Sequence, residues 1–170
     1  MEEVFKTIVG FENYEVSNIG NVRNIKRGNI LKPMLDKDGY MIVNLYALKK
    51  MVTKKIHRIV CESFIENPDN KTCVDHIDNN RSNNNISNLR FATVAENSYN
   101  QKISLRNSSG CKGVHFKKQT NKWQAQIKID GISIHLGSFQ NKEDAIQCRI
   151  NKANQVFGTY TNACEQINEI

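Results

Sequence analysis

Between Trp123 and Leu136, apolar and polar residues alternate on both sides of Asp130-Gly131, and no other stretch limits the possible fold so strongly. Trp123, Ala125, Ile127 and Ile129 fall on one face, while Gln124, Gln126 and Lys128 fall on the other. A period of two belongs to a half-buried strand, and Asp-Gly between two such runs marks a tight hairpin. Ile132, Ile134 and Leu136 resume the apolar face, and Ser133 and His135 the polar one. Gly113 to Phe116 supplies an earlier strand. After Asn141, a helix N-cap, "KEDAIQCRINKANQVFG" is helical, with acids in its first turn and Gly158 placed to stop it. Its stripe of Ala145, Cys148 or Arg149, Lys152 or Ala153, and Val156 can cover one face of the sheet. The other face carries Lys, Gln and His. Between Gly110 and Phe139 there are five lysines against one acid, Asp130. A ribbon of this kind fits the major groove of duplex DNA, and an ordinary solvated sheet face is the alternative.

Charge favours the first of these. The 170-residue chain has a formal net charge of +7 and a pI near 9.2, which makes a polyanion the natural partner, nucleic acid before an anionic membrane. No apolar run approaches the length of a spanning helix, and Met-Glu-Glu has the wrong charge for a signal peptide or presequence, so an intracellular protein is expected. The five cysteines, Cys61, Cys73, Cys111, Cys148 and Cys164, are odd in number and scattered. They predict reduced thiols, mostly small buried fillers, rather than a disulfide framework or a zinc site.

Upstream, residues 1 to about 52 read as a small antiparallel β meander around the Asn18-Ile-Gly20 and Asp38-Gly39 turns. Arg23, Lys26, Arg27 and Lys32 there could line a phosphate backbone. "IHRIVCESFI" then places Ile56, Ile59, Val60 and Phe64 at helical spacing. A short strand at Cys73 to Asp75, an Asn-rich loop and a second strand at Leu89 to Ala92 follow. Thr93-Val-Ala-Glu96 matches a capping box, so a helix is expected from Val94, with Asn97, Asn100 and Gln101 on one face.

"CVDHIDNNRSNNNISNLR" carries the chemistry. It lacks the central glycine and terminal glutamate of a calcium-binding EF-hand loop, and no nucleophile elbow accompanies His76. Hydrolysis of a phosphodiester suits it better. That reaction needs a base near neutral pKa and a cation to neutralise the phosphate, and Asp and Asn oxygens suit Mg2+ or Mn2+. Asp75 and His76 are neighbours on a strand and can share a site only where it bends or ends.

From His57 to Gln101 the chain resembles the HNH nuclease module of phage- and intron-type homing endonucleases, through V-D-H-I-D, N-N, N-L-R and E-N-x-x-N. The resemblance implies Asp75 and Asn97 as metal ligands, His76 as the water-activating base and Asn88 as the residue that braces the loop. Asn79, Asn80, Asn83, Asn84 and Asn85 are expected to shape the turn. Residues 1 to about 48 resemble the module that precedes many such nucleases. Residues 109 to 162 resemble the ethylene-response-factor type of DNA-binding domain, which places DNA contacts on His115, Lys117, Gln126, Lys128, Ser133 and His135.

The expected fold is α+β in three modules: a β-rich DNA-positioning module at 1–52, a ββα-metal nuclease at 53–103 and a sheet reader at 104–170. The expected activity is site-specific hydrolysis of double-stranded DNA with one divalent ion, Mg2+ or Mn2+, leaving a 5′-phosphate and a 3′-hydroxyl. One active site per chain implies a nick per monomer, with a dimer or two successive events as the route to a double-strand break. A DNA-binding protein without cleavage is the rival from another class, and a nuclease acting on RNA or branched DNA is a second rival.

Overall fold

Short alternating runs become short strands in both halves of the chain. The computed structural model describes residues 2–104 and 106–162, so the expectation for Cys164 lies outside the described residues. Two compact units divide the chain, Met1–Val94 and Ala95–Ile170. The expected first module and the hairpin of the second share the first unit.

In that unit β1 (Phe5–Ile8), β2 (Phe11–Ser17) and β3 (Val22–Asn24) form an antiparallel sheet in sequence order. A second meander follows from β4 (Met34–Leu35), β5 (Met41–Ala47) and β6 (Lys50–Lys55). The single meander expected here is therefore two, and within the second Leu48 and Lys49, both at positive φ, make the tight turn from β5 to β6. β6 leads directly into α1 (Ile56–Phe64). Ile56, Ile59 and Val60, spaced for one helical face, are buried against Val16, Val22, Val43 and Leu45 of the sheets. Full burial of each such side chain contributes about 1.5–3 kcal/mol. The same core takes in Val74 of β7 (Cys73–His76) and Leu89 of β8 (Leu89–Ala92), an antiparallel pair. Cys61 is a fully buried filler here, and burial pushes its thiol up to about 12.

In the second unit α2 (Val94–Tyr99) is followed by β9 (Val114–Lys117), β10 (Lys122–Ile129), β11 (Ile132–Phe139) and α3 (Lys142–Phe157). Asp130 and Gly131 both have positive φ, the turn that "DG" between alternating runs demands. α3 packs on the β10 face that carries Ala125 and Ile127, through Ala145, Ala153 and Phe157. Two details differ from the sequence pattern. Phe157 rather than Val156 closes the helix stripe, and Ile132 and Ile134 remain 69% and 40% exposed. β11 is an edge strand, and its first residues lie beyond the cover of α3.

Candidate active site

β7 ends at His76, the last strand residue before the Asn-rich loop. The Asp75 and His76 side chains are both buried, each 5% exposed. They turn different ways. Asp75 sits opposite Arg90 in the hairpin register, and Arg90 donates from Nε and Nη2 to its Oδ2 at 2.8 and 2.6 Å. His76, two residues beyond the core residue Val74, points toward α1. Its ring lies 5.0 Å from that of His57 and 6.0 Å from that of Tyr40, and Nε2 is 3.2 Å from Asn84 Oδ1. With that oxygen as acceptor, Nε2 carries the ring proton and Nδ1 is the basic nitrogen. Burial holds the imidazole below its ordinary pKa against the opposing pull of Asn84, Asp78 and Asp75. The ring is therefore neutral near pH 7, the state a base needs.

Asn88 holds the loop closed. Its Oδ1 accepts from Asp78 N at 3.0 Å, while its Nδ2 donates to Asp78 Oδ1 and to the Asn83 carbonyl, each at 2.9 Å. Asp78 also accepts from Asn80 N and from Asn83 Nδ2. Burial works to raise the Asp78 pKa, but the bonds from Asn83, Asn80 and Asn88 outweigh it and leave the pKa lowered. Asn79 adopts a φ of 59°, within the range asparagine tolerates.

Among the sequence-predicted site residues, Asp75, His76 and Asn88 share this hairpin. Asn97 lies half-buried on α2, in the second unit. The expected helical face of Asn97, Asn100 and Gln101 does not form, because α2 ends at Tyr99. Asn100 is instead buried, and Asn162 Nδ2 donates to its carbonyl and to its Oδ1. Sequence reasoning missed Arg90, Asn84 and Tyr40. Pairing the two expected strands from their outer ends, Cys73 with Ala92, sets Arg90 opposite Asp75.

The predicted DNA-contacting residues separate into two groups. Arg23 is engaged within its own sheet, by Glu15 at 2.7 Å and over the Phe5 ring, whereas Lys26 and Arg27 are exposed in the turn after β3. In the second unit, Gln126 pairs with His135, Lys128 with Ser133, Gln124 with His115 and Lys122 with Lys117. Directly paired residues share a face. His115, Lys117, Gln126, Lys128, Ser133 and His135 thus lie on the sheet face opposite Ala125 and Ile127.

Residues 54–99 match the HNH endonuclease family, and residues 3–46 match the NUMOD4 motif. The DNA endonuclease I-HmuI of Bacillus phage SP01 is 42% identical over 132 residues, which cover 76% of this chain and 72% of that protein. The chain belongs to the HNH endonuclease family. Its HNH segment encloses Asp75, His76, Asn88 and Asn97. An uncharacterized HNH endonuclease, L245, of Acanthamoeba polyphaga mimivirus is 41% identical over 85 residues, and this chain spans only 26% of its length. A solved structure concerned with DNA binding and cleavage by the HNH homing endonuclease I-HmuI superposes with a TM-score of 0.56 at 35% identity. It covers 79% of this chain and 77% of that one.

HNH nucleases work with a divalent metal. Among the described residues no group of three or more His, Cys, Asp and Glu side chains forms a closed cage. The donor chemistry of Asp75, a hard carboxylate oxygen, fits an oxygen-seeking cation held through few protein ligands. No helix among the described residues is long and apolar enough to cross a membrane.

Proposed function

We propose that this HNH endonuclease is a site-specific homing nuclease that hydrolyses double-stranded DNA with one Mg2+ or Mn2+ and nicks one strand per monomer inside the cell. The buried Asp75–His76 pair at the end of β7, within the HNH-matching segment, supports this reading most directly. Asp75 and Asn97 would hold the ion, which when bound neutralises charge on the phosphate and its leaving oxygen. His76 accepts the proton of the attacking water at Nδ1. Asn84 fixes the tautomer and orientation of the ring, and Asn88 keeps the loop that carries Asn84 closed. Hydrolysis then leaves a 5′-phosphate and a 3′-hydroxyl.

Three functional modules divide this work: positioning by 1–52, cleavage by 53–103 and sequence reading by 104–170. In the third, the face bearing Gln126, Lys128, Ser133 and His135 enters the major groove in the manner of an ethylene-response-factor domain, with His115 and Lys117 beside it. Purified protein incubated with long duplex DNA and Mg2+ or Mn2+, beside His76→Ala, tests the reading. The variant binds but does not cut; equal cutting by both proteins removes His76 from the mechanism.

A further inference from the structure

Tyr40 gathers two cations beside the proposed base. Its ring centroid is 4.0 Å from Lys55 Nζ and 4.7 Å from the Arg81 guanidinium carbon. The same ring stands 4.8 Å from that of His57 and 6.0 Å from that of His76. Three stretches of chain supply this cluster: the turn before β5 gives Tyr40, the end of β6 gives Lys55 and the Asn-rich loop gives Arg81. Two like charges drawn to one ring repel each other. Asp36 offsets one of them, with Oδ2 3.3 Å from Lys55 Nζ, whereas Arg81 donates to the neutral Asp38 carbonyl. The balance is positive.

Two features of the adjoining scaffold leave polar groups to satisfy. α1 opens after Lys55 with no side chain capping its first amides, and the start of a helix favours an anion. His57, in the first turn, is 4% exposed, and its Nδ1 is buried without a hydrogen-bond partner. Such a nitrogen carries a desolvation cost that no hydrogen bond among the described residues offsets. Water activation by His76 uses none of these groups. The 6.0 Å between the Tyr40 and His76 rings is of the order of the through-space separation of successive phosphates along one DNA strand, so the two can serve neighbouring phosphates.

Resting on the nuclease reading, we infer that Lys55, Arg81 and Tyr40, with the start of α1, form a seat for one backbone phosphate of the cut strand, adjacent to the scissile phosphate at His76. Holding that phosphate orients the scissile one against the base, and orientation of this kind lowers a reaction barrier. It also makes the segment before β5, from the NUMOD4-matching region, a working part of the nuclease.

The test is the salt dependence of binding to the plasmid DNA used for cleavage, measured without metal in the His76→Ala background. Each phosphate neutralised contributes about 0.9 to the slope of log K against log salt. Lys55→Gln with Arg81→Gln is expected to lower the slope by about 0.9, the share of one phosphate. Lys55→Arg with Arg81→Lys keeps the slope, and unchanged thermal unfolding of both pairs excludes misfolding. With His76 restored, the Gln pair cuts at least tenfold more slowly. An unchanged slope overturns the seat, and so does a fall near 1.8, which would put the two cations on separate phosphates. A fall of 0.9 in a protein that cuts no DNA keeps the seat and removes the nuclease reading. His76-dependent cutting with an unchanged slope does the reverse.

Discussion

Asn84 Oδ1 lies 3.2 Å from His76 Nε2, and both side chains are buried. The hydrogen bond sets which ring nitrogen is basic, so its loss changes the reacting group without touching it. Asn84→Ala is expected to lower the cleavage rate about 10–100-fold, the usual cost of losing a supporting hydrogen bond at a site of this kind. DNA affinity stays as it was. A rate equal to that of the unaltered protein would show that His76 keeps its orientation without this partner.

Gly20 supports Asn84 from behind. It has a φ of +92°, and a Cβ built there meets Asn84 Cβ at 2.7 Å and the Asn84 carbonyl oxygen at 3.4 Å. Asn18 O also accepts from Ile86 N, two residues past Asn84. Gly20→Ala is therefore expected to cost about 1–3 kcal/mol in urea denaturation and to lower the cleavage rate. Gly10→Ala is the control. It shares a positive φ but has nothing within 4 Å, so its stability falls by the backbone term alone and cleavage does not change.

These two contacts mark where sequence reading stopped. The Asp130-Gly131 hairpin, the α1 stripe and a short strand from Cys73, one residue shorter than β7, follow from periodicity and turn chemistry, which act between near neighbours. The sequence does not separate Asn84 from the other loop asparagines, because a side chain's burial depends on what packs over it, here Gly20, more than sixty positions earlier. Tyr40 reaches His57 and His76 through a tertiary approach that no local pattern encodes. Ile132 and Ile134 continue the alternation perfectly yet stay exposed, since period fixes a face and not whether a helix covers it.

Arg90 and Asp75 give a metal-linked prediction. Removing one partner from a buried pair leaves an uncompensated charge and costs about 3–5 kcal/mol. The Arg90 side chain is 16% exposed and that of Asp75 6%, so Arg90→Ala is expected near the lower end, about 3 kcal/mol. Divalent ion binds the folded state and stabilises it by mass action. The rise in Tm on adding Mn2+ is expected to be larger in Arg90→Ala than in the unaltered chain, because the ion replaces the missing positive charge. Asp75→Asn combined with Arg90→Ala abolishes that rise. An equal Mn2+ response in all three proteins would place the ion elsewhere.

His57 links stability to pH. Burial pushes its imidazole down to about 3 from 6.5, helped by the positive charges of His76, Lys55 and Arg58. An unfolded chain takes up a proton on this ring near pH 6.5, and the folded chain does not until about pH 3. Between those values the unfolded state holds more protons, so stability is fully present above pH 6.5 and falls as pH falls. At about 1.36 kcal/mol per pH unit the whole effect is on the order of 4–5 kcal/mol. Asp36 and Asp78, whose pKa values are lowered, release their own contributions only at more acid pH, whereas His76, also lowered by burial, adds to the decline below pH 6.5, so the range pH 6.5 to 5 is read in the His76→Ala background. Urea midpoints are expected to decline across it, and His57→Phe, which fills the same space beside Tyr40 with a ring that cannot titrate, flattens the decline. A His57→Phe chain that lost stability over that range as steeply as the unaltered one would assign the proton uptake to another group.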